Sequence, residues 1–324
     1  MIKAMVALAL AAGCAIGSAR ADDFPSRYVT LVVPLATGGS TDTIARIVAE
    51  GMRGALGQTV VVENSPGAGG TTGVIKVARN TTPDGYTMQI GQWGTNVASG
   101  AVYNLPIDLL TDLEPVGLIA TQPSLIVGRK DLPANNFKEL IAWLKANSGK
   151  VTVGTSGLGS PSHVFGAFLE KAVGAKFTFV PYRSAGLSQQ DLVAGQVDLV
   201  IDTPSTSGAN VKAGLIKGYA IAGKDRSPVV PDIPTVDEAG MPGLYFYFWH
   251  AIWAPKGAPK PIIATLNSAL VKAVADPTTH KRLSDIGQEF FPASMGSPQA
   301  LAKFQREEIE KWWPVIKAAG IKVQ

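Results

Sequence analysis

The sequence predicts an α/β protein of two βα lobes joined by two crossing strands, with a ligand cleft between the lobes. Three observations carry that expectation. β-branched apolar runs alternate with stretches whose apolar residues recur at three- and four-residue steps, the pattern of buried strands and amphipathic helices. Strands end repeatedly in glycine- and serine-rich turns that open straight into helices. Two apolar stretches, 116–127 and 245–253, interrupt the alternation and read as crossings. Residues 22–120 with 252–324 then form one lobe, and 121–251 the other.

The chain begins with a leader. Lys3 precedes an apolar core from Ala4 to Ile16, and Ala19-Arg20-Ala21 fits a small-x-small cleavage site, so residues 1–21 read as a secretory signal peptide. Cys14, the single cysteine, lies within it. A lipid-attachment reading of Cys14 competes, but the apolar run before it is short and Ala11 stands three residues earlier. Cleavage after Ala21 leaves 303 residues without cysteine, so disulfides and thiol chemistry drop out. The 27 basic and 25 acidic side chains that remain form no long run of one sign, which argues against nucleic acid and against a polybasic membrane surface. The expected compartment is the periplasm.

Leu31-Val32-Val33 begins the fold as a strand ending at Pro34. The loop Leu35-Ala36-Thr37-Gly38-Gly39 leads into a helix opening at Ser40-Thr41-Asp42, with Ile44, Ile47, Val48, Met52 and Leu56 on one face. The first N–H groups of that helix have no partner within it, and its dipole adds positive potential there, so an anion fits, a carboxylate better than a nucleotide phosphate. An ordinary tight turn with a capping Ser40 or Thr41 is the competing reading. Residues 59–63 and 86–90 are the next strands, separated by a glycine-rich loop and a helix from Thr71 or Thr72. Trp93 and Thr95 follow the third strand on the edge where parallel sheets hold ligands. In the second lobe a helix spans 136–146, and strand 151–153 ends in Gly154-Thr155-Ser156-Gly157-Leu158-Gly159-Ser160, with Pro161 at the first position of a helix. Strand 177–180 leads to Tyr182-Arg183-Ser184 and a helix at 188–194; strand 197–201 ends at Asp202, and 218–222 is a short strand. Helices at 259–275, 278–286 and 298–318 close the chain, with Pro314 expected to disturb the last.

Enzyme signatures mostly fail. The nucleophile elbow G-x-S-x-G is spoiled at its closing position by Leu158, and no Walker loop is present. Gly67-Ala68-Gly69-Gly70 misses the dinucleotide fingerprint. His163, His250 and His280 are scattered, without metal-ligand spacing. No cofactor and no metal is expected. Binding suits the residue types better, because Ser40, Thr41, Ser156, Ser160 and Ser184 at helix starts can donate to a carboxylate without burying a charge. Asp42 would repel an anion if it faced the cleft, so it is expected to bond back to loop N–H groups. His163 reads equally as a cleft residue or a local packing residue, and Trp93 and Tyr182 equally as apolar cleft walls or core. Arg183 is a candidate ligand partner or a solvated strand-end arginine, and Asp202 a ligand acceptor or a helix cap.

Several motifs in order give the chain a resemblance. Gly38-Gly39-Ser40-Thr41-Asp42, Val61-Val62-Glu63-Asn64 with Pro66 to Gly70, Pro83-Asp84-Gly85-Tyr86-Thr87, Gly154 to Ser160 with His163, Pro181-Tyr182-Arg183 and Gly195-Gln196-Val197-Asp198 resemble the Bug family, the TctC-like solute receptors of tripartite tricarboxylate transporters. The resemblance implies a type II periplasmic-binding-protein (Venus-flytrap) fold, a monomer that closes on a small carboxylated solute and passes it to membrane subunits of such a transporter. It implies that the loops Leu35–Asp42 and Thr155–Ser160, Gly157 included, hold the carboxylate, with Tyr182 to Ser184 and Asp202 at the cleft. Leu35-Ala36-Thr37 and Trp93 depart from the family pattern and leave room for a bulky or aromatic carboxylate. Two alternatives stay open: a ligand-sensing partner of a signalling receptor, and an exported serine hydrolase using Ser156 with His163.

Overall fold

The computed structural model describes residues 24–322. The expected leader, with Cys14 and its cleavage site, lies outside the described residues. Strand β1 (Val29–Val33) runs into helix α1 (Ser40–Leu56), β2 (Val60–Asn64) into α2 (Thr71–Arg79), and β3 (Thr87–Gln92) into a π-turn over 94–98 and the short α3 (Ser99–Val102). β1 pairs in parallel with β2 on one side and β3 on the other. The long strand β4 (Leu113–Arg129) then crosses to α4 (Phe137–Ala146), β5 (Val151–Thr155), α5 (Pro161–Val173), β6 (Phe177–Pro181), α6 (Ala185–Val193), β7 (Leu199–Asp202), α7 (Pro204–Lys212) and β8 (Ile216–Ala222). β9 (Tyr247–Pro255) returns, and α8 (Lys260–Ala275), α9 (Pro277–Asp285) and α10 (Pro298–Ala318) finish the described chain.

One mixed sheet results, in the order β2-β1-β3-β9-β4-β7-β5-β6, with β8 also on β4. The register of β4 shows why it joins two lobes. Leu113 to Pro123 pairs antiparallel with β9, whereas Ser124 to Arg129 lies between β7 and β8. A strand that changes partners at Pro123 belongs half to each lobe.

Burial follows the periodicity. Ile44, Ile47, Val48, Met52 and Leu56 of α1 face Leu31 and Val33 of β1 and Leu266 and Leu270 of α8 in one buried cluster. Each such side chain contributes about 1.5–3 kcal/mol when fully removed from water. The opposite sheet face carries a larger cluster that runs unbroken from Val32 and Trp93 through Phe246 and Trp312 to Phe165 and Val153.

Three helices differ most from expectation. α6 opens at Ala185, not at 188, because Ser184 caps it through the Leu187 N–H. α7 occupies 204–212, where Ser, Thr, Gly and Asn outnumber apolar residues and no stripe announces a helix; Pro204 suits its first position. α10 runs through Pro314 to Ala318, held on both sides of the proline by buried Trp312 and Ile316.

Candidate functional site

The carboxyl ends of β1, β5, β6 and β7 open toward one cleft of about 380 Å³. Each of these strands turns directly into a helix there, so the starts of α1, α5, α6 and α7 line the same space. Their dipoles add positive potential at that point.

The α1 corner leaves its donors free. Gly39 occupies the cap position and supplies no side chain, and Gly38 takes φ +83°, a conformation that favours glycine. Leu35, Gly39, Ser40 and Thr41 line the cleft. Asp42 turns away from it. Its Oδ2 accepts the Gly38 N–H at 2.9 Å and Arg46 Nε at 3.1 Å, while Oδ1 accepts Arg46 Nη2 at 3.0 Å and Asn64 Nδ2 at 3.0 Å. Burial pushes this carboxyl up, but Arg46, the Gly38 N–H and Asn64 together outweigh burial, and it ends below the usual carboxylate range. Ala36, Thr37 and Gly38 are exposed on the loop and do not line the cleft.

Hydroxyls build the α5 corner. Ser160 caps α5 by accepting the His163 N–H. Ser162 Oγ accepts the Ser156 N–H at 2.9 Å and lies 3.1 Å from Ser156 Oγ and 3.0 Å from Ser160 Oγ. An accepting cap keeps its own O–H, so the cluster can still donate to a ligand. Ser156, Ser160 and Ser162 line the cleft, whereas Thr155 is buried and Gly157 makes the turn behind them. Ser184 and exposed Arg183 line the cleft from the α6 corner, with Ser188 one turn further on.

Asp202 faces the cleft at the end of β7, 5% exposed. Its Oδ2 accepts Gln189 Nε2 at 3.0 Å and Ser207 Oγ at 2.9 Å, and burial pushes its carboxyl up to about 6. The floor comes from the crossing strands and the end of β3: Gln92, Gln122, Phe248 and His250. Tyr103, Leu158 and Ile201 add apolar wall.

Several expected cleft residues lie elsewhere. Trp93 is wholly buried, edge-on to Phe246 at 4.8 Å and to Trp312 at 5.6 Å, whereas the residue before it, Gln92, lines the cleft. Thr95 is buried within the π-turn over 94–98 and bonds to Gln92 and Asn96. Tyr182 donates to Asp191 Oδ2 at 2.6 Å, and burial with that carboxylate pushes its phenol up to about 12. His163 sits behind the loop: its Nδ1 accepts the Gly159 N–H at 3.0 Å and its ring packs on Phe179. Among the described residues Ser156 therefore bonds to no imidazole, and the hydrolase arrangement of Ser156 with His163 is not formed. Sequence reasoning missed Ser162, Gln92, Gln122 and His250. Ser162 carried a weak signal, as a third serine in the same turn; the other three are placed only by the crossing strands and the β3 end.

Comparison with known proteins identifies the family and the fold. Residues 44–321 match the family described as the tripartite tricarboxylate transporter family receptor, TctC. A UPF0065 protein from the TAR-I ttuE-ttuC' intergenic region of Agrobacterium vitis is 41% identical over 299 residues, which cover 92% of this chain and 86% of its own. Among solved structures, the periplasmic binding protein BugD is 38% identical with a TM-score of 0.81, covering 93% of this chain and 100% of its own. MatC from Rhodopseudomonas palustris, solved with malate, is 37% identical with a TM-score of 0.80 (90% and 100% covered). An R. palustris protein solved with adipate is 34% identical with a TM-score of 0.83 (93% and 100% covered). BugD is a periplasmic binding protein, and these three solved structures share the two-lobed fold of this chain. The chain belongs to the TctC family of tripartite tricarboxylate transporter receptors.

Proposed function

We propose that this chain is a periplasmic solute receptor that closes on a small carboxylate, monomeric in solution, and delivers it to the membrane subunits of a tripartite tricarboxylate transporter. One observation carries the reading: four helix starts converge on one small cleft, and the longest of the four helices, α1, has no side-chain cap. One ligand carboxylate takes the N–H groups of α1 and the Ser156–Ser160 hydroxyls. Leu35, Leu158 and Phe248 flank the carbon chain, and Arg183 stands at the mouth. Malate and adipate in two relatives support a dicarboxylate. The cleft volume, near the low end for ligand pockets, supports a small one.

The lobes, 22–120 with 252–324 and 121–251, hinge where β4 changes partners. Ligand favours closure only through contacts that both lobes make at once. A thermal-shift screen of the leader-free protein against aliphatic and aromatic mono- and dicarboxylates tests the reading. A hundredfold excess over Kd contributes about 2.7 kcal/mol and raises Tm, whereas a flat screen overturns the carboxylate assignment. Ser156→Ala should weaken the best ligand by about 1 kcal/mol or more in titration calorimetry. Unchanged affinity would remove Ser156 from the site.

A further inference from the structure

His250 lines the cleft floor, whereas His163 and His280 do not. It is 3% exposed, on β9 where that strand pairs with both Gln92 of β3 and Ala120 of β4. Its Nε2 lies 3.1 Å from Thr41 Oγ1, across from the first turn of α1. Its Nδ1 is buried and has no hydrogen-bond partner among the described residues. Thr41 Oγ1 has no bond other than the one to His250 among the described residues, and Thr41 itself lines the cleft.

One proton sits between Nε2 and Oγ1, and two arrangements share it. If Thr41 donates, the remaining ring proton is on Nδ1, a buried N–H with nothing to receive it. If Nε2–H donates, Nδ1 holds only an unused lone pair, and the Thr41 proton is released toward the cleft. Buried donors without partners are rarer than under-used acceptors, so the second arrangement is favoured. Burial also pushes the imidazole down to about 4, so the ring is neutral at pH 7 and a choice between tautomers is the only one open to it.

We propose that His250 is a specificity-determining residue: its Nε2–H backs Thr41 Oγ1, turns the Thr41 hydroxyl into a donor at the start of α1, and so selects ligands that present a hydrogen-bond acceptor there. A carboxylate satisfies that demand, and an ammonium or amide N–H at the same place does not. The inference rests on the receptor reading, but half of its test needs no ligand.

That half is long-range ¹H–¹⁵N correlation on ¹⁵N-histidine-labelled protein at pH 7 without added carboxylate. Three imidazoles give three patterns, and His163→Gln and His280→Gln assign them by loss. His250 should be neutral with its proton on Nε2; a proton on Nδ1, or a cationic ring, overturns the proposal. The other half uses malate and adipate as probes in titration calorimetry. His250→Leu should weaken whichever probe binds by about tenfold, the loss expected for one hydrogen bond of about 1.4 kcal/mol. His250→Gln, which keeps a donor near the Nε2 position, should restore most of that loss. In a Thr41→Val background His250→Leu should cost nothing further, because the two act through one contact. Full affinity in His250→Leu, or losses that simply add, overturns the proposal. If neither probe binds the wild-type protein, the dicarboxylate reading fails while the tautomer still decides the role of His250.

Discussion

Asp42 and Asp202 both stand at strand-to-helix corners of the cleft, Asp42 in the first turn of α1 and Asp202 as the last residue of β7, and both are nearly inaccessible to water. Their electrostatics are opposite. Asp42 is turned behind the α1 corner, where Arg46 clamps it with two bonds and its carboxyl is held low. Asp202 faces the cleft with only neutral donors, Gln189 and Ser207, and burial raises it to about 6. An anion site can thus hold two aspartates. One has its charge cancelled and directed away from the ligand, and the other gives its charge up within reach of physiological pH.

Breaking the first arrangement should have the larger effect. Asp42→Ala removes the shared acceptor of the Gly38 N–H, Arg46 and Asn64; Arg46 and exposed Gly38 can turn to solvent, and Asn64 Nδ2 keeps only the Leu35 carbonyl. A stability loss of about 2 to 3 kcal/mol is expected in denaturant melts, with the α1 corner loosened and carboxylate binding lost. Stability within about 0.5 kcal/mol of wild type would mean that the loop is held by its glycines alone. The second arrangement predicts a pH dependence. Protonating Asp202 removes a negative charge from the cleft, so anion affinity should rise as pH falls from 7.5 to 5.5, by up to about tenfold, since each unit of pKa displacement corresponds to a factor of ten. Asp202→Asn should bind with a flatter profile over that window. An affinity that falls with falling pH would place the ligand's charge away from β7.

Most of the architecture was legible because strand and helix periods differ and each buried face follows its own period. The Leu31–Leu56 unit and the Gly154–Ser160 turn could be read residue by residue for that reason. The cleft floor could not. His250 lies in an aromatic strand whose neighbours are all buried, and nothing local separates a core histidine from one that faces a ligand. Only the pairing of β9 with β3 and β4 brings it opposite Thr41, a residue 209 positions away. Trp93 was open in the other direction. A tryptophan directly after a strand reads equally as cleft wall or core, and the structure buries it beside Phe246 and Trp312. α7 was invisible because Pro204, Gly208 and its hydroxyl residues give no apolar stripe. The family resemblance supplied the Venus-flytrap identification and the solute-receptor reading, and it said nothing that would single out His250.

The smallest effect tests what makes Asp42 and Asp202 differ. Arg46→Met keeps an unbranched stem against the helix and deletes the guanidinium, leaving Asp42 with Gly38 and Asn64. Arg46 is half exposed, so Tm should fall less than in Asp42→Ala. The sign of the pH dependence follows from the direction of the shift. The folded Asp42 carboxyl titrates below its unfolded value, so the stability it provides is present above the unfolded carboxylate value of about 3.9 and is lost as pH falls through the folded one. The gap between wild type and Arg46→Met should therefore be constant near neutrality and close under acid, and high salt should narrow it as well. A gap that persists once Asp42 is protonated would show Arg46 acting through its stem packed on the loop. In that case Asp42 and Asp202 would differ in what shields them from water, and the cation beside one of them would not be the reason.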